Sequence, residues 1–232
     1  MIYDSTELNL LTKALPFLAN GLAFSLALTA SSALFGIIFG TLVAFMRLSN
    51  SRVMQTFAYF YVSIFRSIPL LLVIFWFYFL MPVLVQSVTG SRFPVPIGPV
   101  YAAFITFAVF EAAFFSEIIR AGIQSVATGQ SEAAKALQLS PIQRYRYIIM
   151  PQAISRMLPV LLTQTIVLFQ DTSMVYVLSL PDFLGVAARI GQREGQIPFF
   201  FLVVAAVYFV ICFSLTKVVA KLNEHSGRSL RA

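Results

Sequence analysis

Charged side chains are scarce in this sequence. Of its 232 residues, 11% are charged and 59% are hydrophobic, and the mean hydropathy is +0.86. Soluble domains carry about 25% charged residues, so the composition excludes an ordinary soluble protein and predicts an integral membrane protein. Cysteine and histidine occur once each, as Cys212 and His225. The sequence therefore cannot form an intrachain disulfide and does not indicate a metal cluster.

A phosphate-binding loop is also missing, because the sequence contains no Gly-Lys-Ser or Gly-Lys-Thr tripeptide. The chain therefore cannot bind ATP in the manner of P-loop proteins. No nucleophile accompanied by a base is evident, which disfavours an intramembrane enzyme. The net charge of +7 is compatible with nucleic-acid binding. Because the basic residues do not cluster on a soluble face, we expect no nucleic-acid partner.

Five apolar segments are each long enough to cross a bilayer, which takes about 20 helical residues. They predict membrane-spanning helices over residues 18–46, 57–85, 99–119, 152–172 and 197–217. We expect an all-α membrane protein with three parts: an external or interfacial N-terminal segment (1–17), a transmembrane domain (18–220) and a cytoplasmic tail (221–232).

The basic residues indicate the orientation of these helices. With the N-terminus outside, eleven Lys and Arg residues lie in the cytoplasm, four lie outside and Arg66 lies within a span, which accounts for all 16. Cytoplasmic loops of membrane proteins carry an excess of Lys and Arg. The sequence therefore predicts an external N-terminus and a cytoplasmic C-terminus.

A polar stretch from Gly129 to Pro151 separates the third and fourth predicted spans. Ser131 is expected to be the N-cap of a short helix, with Glu132 in its first turn, where the helix dipole favours a carboxylate. Serine followed by proline at Ser140 predicts the start of a second short helix. Two short helices in a polar loop indicate a docking surface for another protein.

Four charged residues stand out within the predicted spans: Arg66, Glu111, Glu117 and Asp171. Charges in this position are costly and often mark a transport pathway. Arg66 either lines the path of an anionic group or pairs with one of the carboxylates, and Pro69 is expected to bend the helix just after it. Glu117 can pair with Arg120, three residues later. Glu111 either pairs with Arg66 or binds the amino group of a substrate.

The fourth predicted span carries a polar stripe with a seven-residue step, close to two helical turns. The three pairs are Thr163 and Gln170, Gln164 and Asp171, and Thr165 and Thr172. Such a stripe suits a water-filled path for a zwitterion. The alternative is hydrogen bonding between helices without a substrate.

The polar stretch resembles the cytoplasmic coupling loop of ATP-binding-cassette (ABC) import permeases. The family pattern is Glu-Ala-Ala, three residues, glycine, nine residues and Ile-x-Leu-Pro, and the matching residues are Glu132, Ala133, Ala134, Ile148 and Pro151. Gln138 replaces the glycine and Met150 replaces the leucine. Glycine at a helix end supplies a left-handed backbone conformation, which glutamine adopts only at some cost.

Further motifs are similar to the amino-acid branch of this family: Pro16 to Leu18, Phe65 to Pro69, Glu117 to Ile123, Pro151 to Ala153, and Gln170 to Val175. Glu111 with the two alanines that follow it, and the stretch from Phe169 to Ser173, look most similar to permeases of glutamate/aspartate importers.

The resemblance implies a type I ABC importer permease fold in the bacterial cytoplasmic (inner) membrane. A cytoplasmic ATPase dimer would bind ATP and Mg. A second permease subunit, either identical to this chain or a sibling of it, would complete the translocation path. An external or periplasmic binding protein would deliver the amino acid. The chain itself would hold no cofactor and would not be an enzyme. The resemblance assigns coupling to Gly129, Gln130, Glu132, Ala133, Ala134, Gln138 and Pro151. The candidate path residues are Arg66, Glu111, Glu117, Gln164, Gln170, Asp171 and Thr172.

The alternative function is an ion- or proton-coupled secondary transporter that uses its buried carboxylates as proton sites. Many such transporters contain inverted repeats, and the sequence shows none. The importer interpretation is therefore favoured.

Overall fold

The structure, a computed structural model, describes the backbone of residues 3–229 and the side chains of residues 9–223. His225 thus lies outside the described side chains. Ten α-helices follow in chain order: α1 (Tyr3–Leu48), α2 (Arg52–Ser67), α3 (Leu70–Phe75), α4 (Met81–Thr89), α5 (Pro99–Gln124), α6 (Thr128–Ala136), α7 (Pro141–Arg144), α8 (Met150–Asp171), α9 (Phe183–Glu194) and α10 (Ile197–Ser229). Two π-helical segments (Trp76–Leu80 and Tyr145–Ile149) and a 3-10 helix (Thr172–Leu178) complete the helical structure. No strand occurs between residues 3 and 229, so the predicted all-α class is confirmed.

Five helical stretches within the described part of the chain are long and apolar enough to cross a membrane, as the sequence predicted. They are Asn9–Leu48, Leu70–Thr89, Pro99–Gln124, Pro141–Leu178 and Ile197–Asn223. The first is part of α1, which is helical from Tyr3 and so includes most of the predicted N-terminal segment. At the other end of the chain, α10 continues to Ser229, beyond the predicted boundary at residue 221.

The second candidate span begins later than the sequence predicted. Ile68 has an extended backbone (φ −112°, ψ 136°) between α2 and α3, because the ring of Pro69 disfavours a helical conformation in the residue before it. The candidate span therefore starts at Leu70 instead of residue 57. Arg66 lies in the last turn of α2 and precedes this candidate span, whereas the sequence predicted it within the second span.

The helices form two compact units, each built from three stretches of chain. The first unit contains the residues up to Ala33, Leu70–Phe107 and Val167–Ser214. The second unit contains Leu34–Pro69, Ala108–Ile166 and the residues from Leu215 onward. Helices α1, α5, α8 and α10 each contribute residues to both units.

The first unit has an apolar core where α9 packs against the first part of α1 and the start of α10. The buried core residues are Ala14, Leu18, Phe183, Ala187, Ile190, Phe200 and Val204. Hydrogen bonds at the start of α9 add to this packing, because the Ser25 hydroxyl accepts the backbone N–H of Phe183 at 3.1 Å. The start of α9 is therefore held directly by α1.

Asp182 is the N-cap of α9. Its carboxylate accepts the backbone N–H groups of Leu184 and Gly185 at 3.1 and 3.2 Å, which satisfies two N–H groups at the start of the helix. Burial raises the pKa of Asp182 to about 6, although these backbone donors counteract part of the increase.

The second unit depends on a close approach of α1 to α5. A side chain at Gly40 would place its Cβ 2.9 Å from the Ala112 carbonyl oxygen, and one at Gly36 would place it 3.0 Å from the Phe115 ring. Real Cβ atoms essentially never show the first distance, and the second is tighter than nine in ten real Cβ contacts. Glycine at these two positions therefore permits the helices to pack.

Candidate coupling and translocation sites

The polar loop between α5 and α8 contains the two predicted short helices, but the first begins earlier than expected. The N–H of Gln130 bonds to the Ala127 carbonyl at 3.0 Å, which closes a turn ahead of Ser131. Ala127 is the N-cap of α6 and Ser131 lies within the helix, so the predicted N-cap is wrong. Glu132 consequently lies in the second turn, where the helix dipole acts more weakly.

The turn between the two short helices keeps the left-handed conformation that the family's glycine supplies, although glutamine stands at this position. Gln138 takes a left-handed conformation with φ +58°, and its N–H bonds to the Lys135 carbonyl at 2.9 Å. The N–H of Leu139 reaches back to the Ala134 carbonyl at 3.1 Å and closes the end of α6. Glutamine thus occupies the position of the family's glycine with a backbone that glycine adopts more readily.

The second short helix begins as predicted. The hydroxyl of Ser140 accepts the N–H of Gln143 at 3.3 Å, and the Gln143 side chain accepts the N–H of Ser140 at 2.9 Å. This reciprocal pair is a capping box, which satisfies two helix N–H groups. Pro141 follows at the first helical position.

The outer surface of the loop combines one ion pair with exposed apolar groups. Glu132 pairs with Lys135 at 2.7 Å, and the hydrogen bond from Lys135 lowers the pKa of Glu132. Ala133 is exposed, whereas Ala134 is only 1% exposed, so Ala133 is the alanine that a partner can contact. The remaining coupling candidates, Gly129, Gln130, Gln138 and Pro151, are exposed.

A cluster of three arginines surrounds Glu117 in the second unit. Arg47 at the end of α1 and Arg120 on α5 both lie 2.7 Å from its carboxylate, which confirms that Glu117 and Arg120 can pair. Arg66 at the end of α2 is more distant, at 3.9 Å. We call these four residues the arginine–glutamate cluster, and it joins the ends of α1 and α2 to α5.

Arg66 is held less tightly than the other members of the cluster. Its 3.9 Å separation from Glu117 is too long for a hydrogen bond, and 47% of its side chain is exposed, compared with 17% for Arg47. The guanidinium also lies 5.5 Å from the centre of the Phe114 ring, within cation–π range. The pairing of Arg66 with a carboxylate is therefore present, and its guanidinium remains accessible.

Glu111 is fully buried on α5. The side-chain amide of Gln164 on α8 donates to its carboxylate at 3.1 Å. The structure thus connects two of the residues that the sequence singled out, through a contact that spacing along the chain does not reveal.

The polar stripe of α8 is divided by the end of the helix. The Thr163 and Thr165 hydroxyls donate to carbonyls of their own helix, those of Pro159 and Leu161, both at 2.9 Å. Helix α8 ends at Asp171, and Thr172 begins the 3-10 segment. Because the Thr163 and Thr165 hydroxyls donate within their own helix, they do not need a hydrogen-bond acceptor on a neighbouring helix.

In the first unit, the later members of the stripe differ in exposure. Gln170 is exposed and Asp171 is partly buried. Thr172 is fully buried, and its hydroxyl donates to the Phe169 carbonyl at 2.7 Å. Gln170 and Asp171 are therefore the members of this group whose side chains remain accessible.

Sequence reasoning missed two basic residues of the second unit. Arg47 was noted only as a cytoplasmic charge, yet it forms a direct ion pair with Glu117 and lies 5.3 Å from the centre of the Tyr59 ring. Arg156 donates to the Ser125 carbonyl and joins α8 to the end of α5. A single sequence carries no signal for either contact, because 70 and 31 residues separate the partners.

An all-α chain with five candidate spans, charged groups between its helices and an exposed short-helix loop defines a multi-pass membrane transport component. The chain belongs to the family of binding-protein-dependent transport system inner membrane components, whose model matches residues 36–225. It is therefore the permease subunit of an ABC importer, an inner-membrane transport subunit whose ATPase is a separate protein. The alternative of a secondary transporter is wrong.

Named relatives cover almost the whole chain. The glutamate/aspartate import permease protein GltK of Escherichia coli O6:H1 is 47% identical over 214 residues, which is 92% of this chain and 95% of the relative. The probable glutamine ABC transporter permease protein GlnP of Bacillus subtilis is 33% identical over 90% of this chain and 93% of its own length.

The solved structures agree. A chain from a crystal structure of an amino acid ABC transporter with histidines superimposes with a TM-score of 0.83 at 29% identity, covering 93% of this chain and 96% of that one. A chain of the inward-facing MetNI methionine ABC transporter gives a TM-score of 0.66 at 22% identity, covering 90% of this chain and 97% of that one. The latter likeness concerns the fold alone.

Proposed function

We propose that this chain is the permease subunit of an importer for acidic amino acids, glutamate and aspartate. The observation that carries the proposal is its 47% identity, over 92% of the chain, to a permease named for these two substrates. Relatives named for glutamine are 33% identical or less. The accessible guanidinium of Arg66 is consistent with an anionic substrate.

The polar loop is the surface on which a cytoplasmic ATPase dimer docks. Its exposed Glu132 would make charged contacts with the ATPase, and the small exposed side chain of Ala133 would permit close approach. This assignment requires an external N-terminus and a cytoplasmic C-terminus, as the positive-inside rule predicts. ATP and Mg belong to the ATPase, because this sequence has no phosphate-binding loop.

A second permease subunit, identical or a sibling, would complete the translocation path, and a periplasmic binding protein would deliver the amino acid. Closure of the ATPase dimer would move the loop of residues 128–151, and the helices joined to it would open the path outward. The candidate path residues of the second unit are Arg66, Glu111, Glu117 and Gln164. Those of the first unit are Gln170, Asp171 and Thr172.

The test is uptake of radiolabelled glutamate and aspartate by vesicles that contain the complete transporter, with its binding protein outside and ATP inside. We expect accumulation that requires ATP and that an excess of unlabelled aspartate reduces more than glutamine does. Accumulation of glutamine in preference to both acidic amino acids would overturn the proposed substrate.

The coupling role is tested by Glu132→Lys, with Glu194→Lys as the matched control because Glu194 lies outside the loop. The loop variant should assemble and insert but lose both uptake and the rise in ATPase activity caused by loaded binding protein. ATPase stimulation equal to that of the unmodified transporter would refute the role of Glu132.

A further inference from the structure

Two cavities in the second unit share Arg66 and Glu117 in their linings. One has a volume of about 350 Å³ and is also lined by Arg47, Tyr59, Ser63 and Ser67. The other, of about 460 Å³, includes Arg156 on α8. Both volumes fall in the range of small-molecule sites, about 300–1,000 Å³.

The charges around these cavities do not balance. Three guanidinium groups, from Arg47, Arg66 and Arg156, face one carboxylate, that of Glu117. Glu117 already accepts short contacts from Arg47 and from Arg120. The residues that line the cavities therefore carry a net positive charge. The loosely held, half-exposed guanidinium of Arg66 is the group best able to bind an added anion.

The two faces of α2 indicate that this anion is not a lipid headgroup. One face presents exposed apolar side chains, including Val53, Phe57 and Phe60, which suit contact with acyl chains. Arg66 projects from the opposite face, Ser63 and Ser67 lie between the two faces, and all three residues line the smaller cavity. Because the apolar face of an amphipathic helix turns toward lipid and the polar face away from it, the Arg66 end of the cavity is directed away from lipid.

We propose that this cavity is a binding site for a dicarboxylic amino acid within the translocation path. Arg66 donates to the side-chain carboxylate of the substrate, and the hydroxyls of Ser63 and Ser67, one turn apart on α2, donate to the same carboxylate. An amide in place of the side-chain carboxylate forfeits the charge-assisted bond. The site thus distinguishes acidic amino acids from their amides inside the permease, and this inference rests on the proposed function.

The experiment measures binding of radiolabelled glutamate to the purified transporter, permease and ATPase together, in nanodiscs of phosphatidylcholine without binding protein. The variants are Arg66→Gln, Arg66→Lys and the control Arg52→Gln, an exposed arginine on the same helix that does not line the cavity. We expect about tenfold weaker binding or more for Arg66→Gln, as for loss of a hydrogen bond to a charged group. Arg66→Lys should lose less, and Arg52→Gln should match the unmodified protein.

A second variant guards against a folding defect, since Arg66 also contacts the cluster. Ser63→Ala combined with Ser67→Ala leaves every charge in place and should weaken glutamate binding without affecting assembly. Glutamine should displace half of the bound glutamate from the unmodified protein only at a concentration about tenfold or more above the concentration of unlabelled glutamate that does so.

Several outcomes would overturn the inference. These are an absence of glutamate binding to the unmodified transporter, equal affinity in Arg66→Gln, or displacement of glutamate by glutamine at the same concentration at which unlabelled glutamate displaces it. Loss of bound glutamate when phosphatidylglycerol is added to the nanodiscs would show that the site binds lipid, and this result would also overturn the inference. If vesicles with binding protein still accumulate glutamate while these binding results fail, the proposed function stands and only this site is refuted.

Discussion

The two units of this permease hold their helices together by different physical means. In the first unit, α9 is fixed by a buried apolar core and by backbone N–H groups that bond to Ser25 and Asp182. In the second unit, the ends of α1 and α2 meet α5 through guanidinium groups around Glu117. An apolar core has one packed arrangement, whereas ion pairs reached by water can exchange partners at modest cost. The second unit is therefore the better place for a site that binds and releases a charged substrate.

The largest expected effect comes from emptying the core of the first unit. Phe183→Ala removes a side chain that is 3% exposed, and such changes cost about 3–5 kcal/mol. The control is Phe60→Ala, at a position that is 59% exposed. Thermal unfolding in detergent should show a marked fall in Tm for the first variant and little change for the second. Equal shifts would contradict the core assignment.

Glu117→Gln is expected to destabilise the second unit somewhat less. The change leaves three guanidinium groups beside a neutral amide, and breaking a buried pair costs about 3–5 kcal/mol. We expect about 2–3 kcal/mol because Glu117 and Arg47 are each 17% exposed to water. Raising the salt concentration should reduce the difference in stability between Glu117→Gln and the unmodified protein. It should not reduce the corresponding difference for Phe183→Ala. The control Glu194→Gln breaks an exposed pair with Arg193 and should have almost no effect.

Asp182 is expected to make the first unit sensitive to pH. Its pKa is raised to about 6 by burial, so between about pH 4 and 6 the folded state keeps a proton that the unfolded chain has released. Its contribution to stability therefore falls as pH rises, by about 1 kcal/mol from pH 5 to pH 7. Asp182→Asn keeps a helix cap but has no titrating group, so its Tm should vary less between pH 5 and pH 7 than the Tm of the unmodified protein. A variant with an undiminished pH slope would exclude Asp182 as the source.

The smallest expected effects come from two left-handed residues, one in each unit. Gln138 and Ser179 both have φ of +58°, a conformation that costs an ordinary residue about 1 kcal/mol or more relative to glycine. Gln138→Gly and Ser179→Gly should each raise Tm slightly. A fall in either Tm would show that the side chain has a stabilising contact that outweighs its backbone strain.

Local sequence rules predicted much of the fold. The number of spans and the Ser140 cap follow from hydropathy and from short-range backbone chemistry. The errors arose where neighbouring residues competed. Ser131 looked like a cap, but the backbone had already closed a turn at Ala127. Pro69 was expected to bend the second helix, whereas α2 ends before it and α3 begins after it.

The candidate site was less predictable than the fold. Arg66, Glu111, Glu117 and Gln164 were singled out because polar groups are rare in apolar segments, but among their contacts the sequence predicted firmly only the pair of Glu117 with Arg120. Tertiary packing brings Arg47 to Glu117 and Gln164 to Glu111 across 70 and 53 residues of chain. No local periodicity encodes such contacts in one sequence.

The length of α1 has a mechanical consequence. Its 46 residues extend about 69 Å at 1.5 Å per residue, whereas a bilayer with its headgroups is about 40–45 Å thick. Even a tilt of about 40°, the upper end of the usual range, leaves the helix longer than the membrane. The part of α1 that exceeds the bilayer thickness can lie beyond the hydrocarbon core or along the interface, because Pro16 provides a point at which the helix can bend. A thicker or thinner bilayer would therefore change how much of α1 it covers while the helix remains intact.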